Sequence, residues 1–339
     1  MAKAKAKTKL EIGTLEIAKK AIEKKYGDIV SYLSEHEDSG LDIVSTGCLG
    51  LDAALGVGGV ALGRIYEFFG SQGSGKSSLA FSVIVEAQKS DLQCAYVDAE
   101  HTVDPKLLRN MGVNDEKLWI VRGHNGEENL DAAETMIKTG ALDVLVVDSV
   151  SSLIPKAEAD ENIDHNPMGL LARLMSKCMR RFTPLANQSN TLVIFINQIR
   201  IDIGKYGDPR KPTGGEALSF FATGRIRVAG GEAKSTRIVD KDGMVYGHEA
   251  TFEVVKNKLA SPFRTAKVPL IYGKGFDRQW EIVRLATDLD ILTKKGAWYS
   301  YGGENVAQGE QNMVDNVKDD DELYKDLAKK VKEMIGIGS

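Results

Sequence analysis

The sequence predicts an α/β fold with a mainly parallel central sheet, an N-terminal helical arm and a small C-terminal α/β domain. Three observations carry that reading. From about residue 40 to 276, β-rich apolar runs alternate with helical patterns, as in a parallel sheet flanked by helices. Four of the runs, 93–98, 118–121, 143–148 and 191–196, are continuously apolar in their interiors, which is expected of strands covered on both faces. Finally, Gly70-Ser71-Gln72-Gly73-Ser74-Gly75-Lys76-Ser77 spells G-x-x-x-x-G-K-[ST] between the apolar run 65–69 and the helix-favouring 78–81.

Residues 1–12 read as a flexible basic tail. A helix follows, with Leu15, Ala18, Ile22 and Tyr26 at helical spacing and lysines elsewhere, until Asp38-Ser39-Gly40 breaks it. The first 25 residues carry eight lysines against three glutamates, and Asp319-Asp320-Asp321-Glu322 is an acidic run near the other end. Such asymmetry suits chains that meet polyanions or each other head to tail, and equally suits two solvated ends. The arm's helix either packs on its own core or docks on a neighbour, and periodicity does not distinguish the two.

The glycine-rich turn between strand and helix aims several backbone N–H groups and the positive end of a helix dipole at one anion. Its glycines admit phosphate without a Cβ in the way, Lys76 reaches toward β- and γ-phosphates, and the Ser77 hydroxyl is suited to Mg²⁺. The motif therefore implies a nucleoside triphosphate site.

Ligands of parallel sheets lie outside the carboxyl ends of the strands, so polar residues that close apolar runs are candidates. Asp148 closes 144–147 in the position of a Mg²⁺-orienting aspartate, or caps the helix after it. Asp98 and Glu100 follow another run, and either is a candidate to position and deprotonate an attacking water. Gln198 follows a third, as a γ-phosphate sensor or as a loop-capping amide.

Residues 158–167 read as a loop ahead of a helix with the apolar face Met168, Leu171, Met175, Met179 and Phe182. Arg173, Lys177 and Arg180 fall on another stripe, fit for phosphates or for solvent. Residues 199–215 form a long loop that mixes Arg200, Lys205, Arg210 and Lys211 with Tyr206, Ile199, Ile201 and Ile203. Cations for phosphates beside flat or apolar groups suit single-stranded nucleic acid, and a mobile surface loop is the plainer alternative. The block 247–256 alternates and reads as an outer, antiparallel strand. On it Lys256, and beyond it Lys258, share a face and read most simply as a solvated edge. Past Gly275 come short helices and the aromatic patch Gly296-Ala297-Trp298-Tyr299-Ser300-Tyr301. The expected division is 1–39, 40–276 and 277–339.

The chain has 339 residues and a net charge of −4, which argues against coating nucleic acid through bulk charge but leaves local patches open. No apolar run reaches the length of a membrane span, and Met1-Ala2-Lys3-Ala4-Lys5-Ala6-Lys7 lacks the apolar segment of a secretory signal. A cytoplasmic location without membrane contact is expected. Cys48, Cys94 and Cys178 are odd in number and widely spaced, so neither a disulfide framework nor a zinc site is indicated.

These residues resemble the RecA family of bacterial and phage recombinases from roughly Ile22 to Tyr301. Beyond the phosphate loop, the segments 96–101, 146–150, 168–173, 194–200, 213–215, 254–258 and 296–301 look like that family's segments in the same order. The resemblance implies a RecA-like P-loop NTPase core. It also implies a filament of this chain on single-stranded DNA, ATP and Mg²⁺ between adjacent subunits, and pairing with double-stranded DNA followed by strand exchange. The arm would then serve polymerisation.

Residue by residue, the resemblance makes Glu100 the hydrolytic carboxylate, Gln198 the γ-phosphate switch, and Lys256 and Lys258 the pair reaching the neighbour's ATP. Ser78, Asp104, Tyr272 and Gly273 join residues 70–77 and Asp148 around the nucleotide, with Ser77 and Asp148 toward the metal. Met168, Gly169, Arg173, Arg180, Arg200, Ile203, Lys205, Tyr206, Gly214 and Gly215 match DNA-contacting positions. Where the family often has an aromatic after Asp104-Pro105, this chain has Lys106-Leu107, which offers apolar contact only. Asp202 stands where the DNA loop is more often basic. A ring-shaped helicase motor and an ATP-switched scaffold share the core, but the former would lack Lys256-Asn257-Lys258 and the latter would not need Glu100.

Overall fold

The computed structural model describes residues 2–35, 40–160, 169–201 and 210–337, with backbone alone at 2–12, 200–201 and 210–212. It divides into two compact units, 1–41 and 42–339.

The first unit is helix α1 (Ala2–Tyr26) and a short 3₁₀ turn at Leu33–Glu35. The tail expected over 1–12 is helical from Ala2. Alanine and lysine, which alternate there, are both strong helix formers. Lys19 lies 3.7 Å from Glu23 and 3.5 Å from Glu35. Leu15, Ile17, Tyr26, Ile29, Tyr32 and Leu33 are exposed.

The second unit begins with β1 (Ile43–Val44), α2 (Leu49–Leu55) and β2 (Val60–Ala61), then enters the main sheet through β3 (Ile65–Gly70) and α3 (Lys76–Lys89). There follow β4 (Cys94–Asp98), α4 (Pro105–Asn110), β5 (Leu118–Val121), α5 (Gly126–Lys138), β6 (Val144–Asp148), α6 (Lys156–Ala159) and α7 (Leu170–Gln188). Next come β7 (Leu192–Ile201), β8 (Arg210–Pro212), α8 (Ala217–Phe221), β9 (Gly224–Ala229), β10 (Arg237–Val239), β11 (Val245–Asn257), β12 (Thr265–Ile271) and β13 (Gly275–Phe276). The chain ends in α9 (Arg278–Asp288), β14 (Thr293–Lys295), β15 (Trp298–Tyr301), β16 (Glu304–Gln308), α10 (Glu310–Asp319) and α11 (Asp321–Ile335).

The main sheet runs β13-β12-β11-β9-β3-β7-β6-β4-β5, with β8 on β7 and β10 on β11. From β9 to β5 every pairing is parallel, and from β9 to β13 every pairing is antiparallel. The strand period of two divides its side chains between two layers. Tyr66, Phe68, Tyr96, Val146 and Ile194 face α3, which buries Leu79, Ala80, Val83 and Ile84. Ile65, Val97, Val147 and Phe195 face the opposite way, onto Leu130 and Ile137 of α5 and Met175, Met179 and Phe182 of α7. Each such fully buried side chain contributes roughly 1.5–3 kcal/mol relative to exposure.

Two further expectations need correction. Strand β5 is apolar yet is the sheet's edge, and Trp119 (61 %) and Ile120 (41 %) are exposed. An apolar run of four residues has the same composition at an edge as at the centre. Strand β11 is antiparallel as expected but is not outermost, because β9 and β12 pair on its two sides. Its alternation reflects one face packed on the core and the other beside charged neighbours, rather than an open edge. The C-terminal elements form their own core around Ile282, Tyr299, Met313, Val317, Leu327 and Val331, with β14-β15-β16 as a small antiparallel sheet.

Candidate active site and nucleic-acid interface

The glycine-rich turn leaves β3 and enters α3 at the carboxyl end of the parallel strands. Gly70 is forced by space: a Cβ there would lie 2.0 Å from the Val228 carbonyl oxygen. Gly75 has φ of 100° and precedes Lys76 as the helix N-cap, a conformation costly for any residue with a side chain. Lys76 Nζ donates to the Ser71 carbonyl at 2.6 Å and folds over the loop. The buried Ser74 hydroxyl has no hydrogen-bond partner among the described residues. No acidic residue occupies the first turn of α3, so the helix carries no charge of its own that offsets its positive end.

Ser77 Oγ donates to Asp148 Oδ2 at 2.7 Å, and the Tyr96 hydroxyl donates to the same oxygen at 2.5 Å. Burial pushes the Asp148 carboxyl up, opposed by those two hydrogen bonds. Burial also pushes the Lys76 ammonium down, opposed by Asp148 and Glu100. The two groups thus hold each other's charge in a partly dry site. Burial, then Asp148, pushes the Tyr96 phenol up, so it stays protonated and acts as donor. One hydroxyl and one carboxylate fit a hard cation that retains waters and takes its other ligands from phosphates. No cluster of three or more His, Cys, Asp or Glu that could hold a metal alone exists among the described residues.

Glu100 lies just past β4, and its Oε1 accepts from Ser149 Oγ at 2.7 Å, Gln198 Nε2 at 3.1 Å and Ser152 Oγ at 3.3 Å. Gln198 is the register partner of Gly70 across β3 and β7, which puts it beside the start of the phosphate loop. Its own carbonyl accepts from Thr213 N–H at 3.3 Å, and Asn197 bonds the Thr213 hydroxyl and carbonyl. A chain of hydrogen bonds therefore runs from Glu100 to the returning end of the long loop. Asp98, the other carboxylate weighed for the water, is engaged elsewhere. It is buried and accepts from Thr102 N–H, Val103 N–H and Arg122 Nε.

Asp104 caps α4 by accepting from Lys106 N–H at 2.8 Å, and Leu107 is exposed. Tyr272, half-exposed after β12, shares a 3.2 Å bond with His248 Nδ1, and Gly273 beside it has φ of 75°. His248 is wholly buried, and its Nε2 lies 3.4 Å from the Ser74 carbonyl, linking Tyr272 to the phosphate loop. Burial pushes its imidazole down, the Ser74 bond opposing. Ser78 sits in the first turn of α3.

Lys256 and Lys258 are not brought to their own phosphate loop. Lys256 pairs with Arg225, which pairs with Glu67, and Lys258 N–H bonds Thr223, whose N–H bonds Ile65. That is the amino end of β3, away from Gly70. Lys256 Nζ donates to the carbonyls of Ser219 at 2.7 Å and Phe220 at 3.0 Å. Burial, then Lys258, pushes its ammonium down.

On α7, Arg173, Lys177 and Arg180 are exposed opposite the buried Met175, Met179 and Phe182, and Gly169 caps the helix with φ of 84°. Gly214 and Gly215 pack so closely that a Cβ would meet Val150 Cγ1 at 2.7 Å and Ala172 Cβ at 2.9 Å. The end of the long loop thus lies against the first turn of α7, beside Arg173. Arg200 pairs with Lys211 across β7 and β8 through backbone, its side chain being outside the description. Met168, Ile203, Lys205 and Tyr206 lie outside the described residues.

Tyr96 and His248 went unnoticed in the sequence. Tyr96 stands inside an apolar run and His248 on an alternating strand, so neither had a local signal to set it apart.

A phosphate loop, a hydroxyl–carboxylate pair and a carboxylate coupled to a strand-end amide define the class: a P-loop nucleotide hydrolase on a parallel sheet. The chain matches the RecA N-terminal domain over residues 13–277 and the RecA C-terminal domain over 280–336. It is 40 % identical over 326 residues to Protein RecA of Bacillus mycoides, covering 96 % of this chain and 94 % of that one. With Protein RecA of Porphyromonas gingivalis it shares 41 % over 327 residues, covering 96 % and 95 %. With that of Macrococcus caseolyticus it shares 40 % over 328 residues, covering 96 % and 91 %. The chain belongs to the RecA family. It is a DNA-dependent ATPase that carries out strand exchange in recombination and repair.

Proposed function

We propose that ATP with Mg²⁺ is held at residues 70–78 and Asp148, in a seam closed by a second copy of the chain. Occupancy of that seam then arranges the two loops around single-stranded DNA for pairing with a duplex. The observation that carries this reading is the path Glu100–Gln198–Thr213, which joins the hydrolytic end of the site to the returning arm of the long loop. Lys76 binds the phosphates and Ser77 and Asp148 orient the metal, which when bound offsets phosphate charge. Glu100 takes the proton of the attacking water, and Gln198 passes the state of the γ-phosphate to Gly214 and Gly215. Asp104, Tyr272 and Gly273 contact the base side of the nucleotide.

Lys256 and Lys258 act in trans, as an arginine finger does, on the nucleotide of the adjacent copy. Their distance from their own phosphate loop supports that assignment. Arg173, Arg180 and Arg200, with Met168, Gly169, Ile203, Lys205 and Tyr206, are assigned to DNA contact. The exposed Trp119 and Ile120 at an unpaired sheet edge and the exposed apolar residues of the first unit support assembly into a filament. The working division is an arm at 1–39, a core at 40–276 and a C-terminal domain at 277–339. The work is assigned to the cytoplasm; no helix among the described residues is long and apolar enough to cross a membrane.

The test is Glu100→Ala. ATP-dependent binding of single-stranded DNA should persist while hydrolysis falls about 10²–10⁴-fold, the usual contribution of a positioned base. Equal loss of binding and turnover would assign Glu100 a structural role instead.

A further inference from the structure

Asp148 is held from two sides by hydroxyl groups, and only one of them belongs to the phosphate-loop motif. Tyr96 rises from β4 on the face that packs against α3, two register positions before the Asp98–Asp148 pair. Its ring stacks on Phe81 of α3 with centroids 4.9 Å apart and planes at 18°, which fixes the direction of the phenol. The hydroxyl ends 2.5 Å from Asp148 Oδ2, the oxygen that also accepts from Ser77. Tyr96 is 1 % exposed, so no water competes for that bond. A buried phenol needs a polar partner, and a carboxylate is the strongest acceptor available to it.

We infer that Tyr96 is a positioning residue for the metal, setting the orientation of Asp148 through a hydroxyl wedged between the sheet and α3. The inference rests on the reading of Ser77 and Asp148 as the metal-orienting pair. Partners that orient metal-side carboxylates typically change metal affinity by about 10–100-fold when removed. A tyrosine here is stiffer than a serine or water would be. It has two side-chain torsions, both fixed by the stacking on Phe81.

Tyr96→Phe removes the hydroxyl and keeps the ring. The experiment titrates Mg²⁺ into full-length protein with a fluorescent ATP analogue and no DNA. For Tyr96→Phe the Mg²⁺ midpoint should rise about tenfold, while analogue binding in excess chelator stays as in the unsubstituted protein. Phe81→Leu, which keeps the hydroxyl but frees its direction, should raise the midpoint by clearly less than the roughly tenfold shift expected for a lost partner. In an Asp148→Asn background, Tyr96→Phe should add nothing. Should Tyr96→Phe fail to unfold cooperatively, Tyr96→Met takes its place with the same expected shift.

An unchanged midpoint in Tyr96→Phe would overturn the inference, as would equal shifts in Tyr96→Phe and Phe81→Leu. Failure of the underlying reading looks different, because analogue binding by the unsubstituted protein would then show no Mg²⁺ dependence at all.

Discussion

Glu281 offers a prediction whose size follows from the structure. It sits in the first turn of α9, 3 % exposed, and its two carboxylate oxygens accept from Leu49 N–H at 3.1 Å and Gly50 N–H at 2.8 Å at the start of α2. The bonds tie the C-terminal elements to the nucleotide-binding core. Burial pushes its carboxyl from the ordinary 4.5 up to about 8, with the two amides and Arg278 pulling down and Asp52 pushing up. A group whose pKa is raised by folding stabilises fully below its unfolded pKa, and that stabilisation is lost as pH rises through the folded value. From 4.5 to about 8, at about 1.4 kcal/mol per pKa unit, the loss amounts to roughly 5 kcal/mol. Asp52, raised to about 6 mainly by burial, adds a smaller loss that is complete at lower pH.

Glu281→Gln keeps one acceptor and the neutral state. Urea unfolding followed by tryptophan fluorescence from pH 5 to 9 should show the unsubstituted protein weakening steadily, including above pH 6.5. The variant should be nearly flat above 6.5 and the more stable of the two at pH 9. Parallel curves would refute the placement of a neutral carboxyl at this junction.

Gly70→Ala should abolish nucleotide binding and lower stability by several kcal/mol, because its Cβ would stand 2.0 Å from backbone at Val228; normal binding in a thermal-shift assay with ATP would contradict it. Arg173→Ala should weaken single-strand binding and lower the slope of log affinity on log salt by about one unit. A slope unchanged across a salt titration removes Arg173 from the DNA surface. Lys256→Ala should leave nucleotide affinity of the dilute protein intact and suppress DNA-stimulated turnover. Loss of affinity in the dilute protein would place the lysine at its own nucleotide instead.

The phosphate loop, Asp148, Glu100 and Gln198 were legible because each is a polar break at the end of an apolar strand, a signal that is local in sequence. Tyr96 and His248 were not, since a side chain that reaches across a sheet to a partner 52 or 174 residues away leaves no spacing to read. Misreading β5 as a covered strand has the same origin: its residues are apolar, and only the strand order reveals that no strand among the described residues pairs beyond it. The choice between Asp98 and Glu100 was open in sequence, and Glu100 is proposed because Arg122, which arrives from after β5, engages Asp98. The role of Lys256 and Lys258 also escapes periodicity. Their register places them toward the amino end of β3, away from their own phosphate loop, so the contact proposed for them requires a second copy.

The central claim is tested most directly by ATP turnover per subunit in saturating single-stranded DNA, measured as the protein is diluted. The account predicts a steep, cooperative fall once subunits separate, because each site then loses the lysines supplied by its neighbour. A turnover per subunit that stays constant down to isolated copies would contradict it.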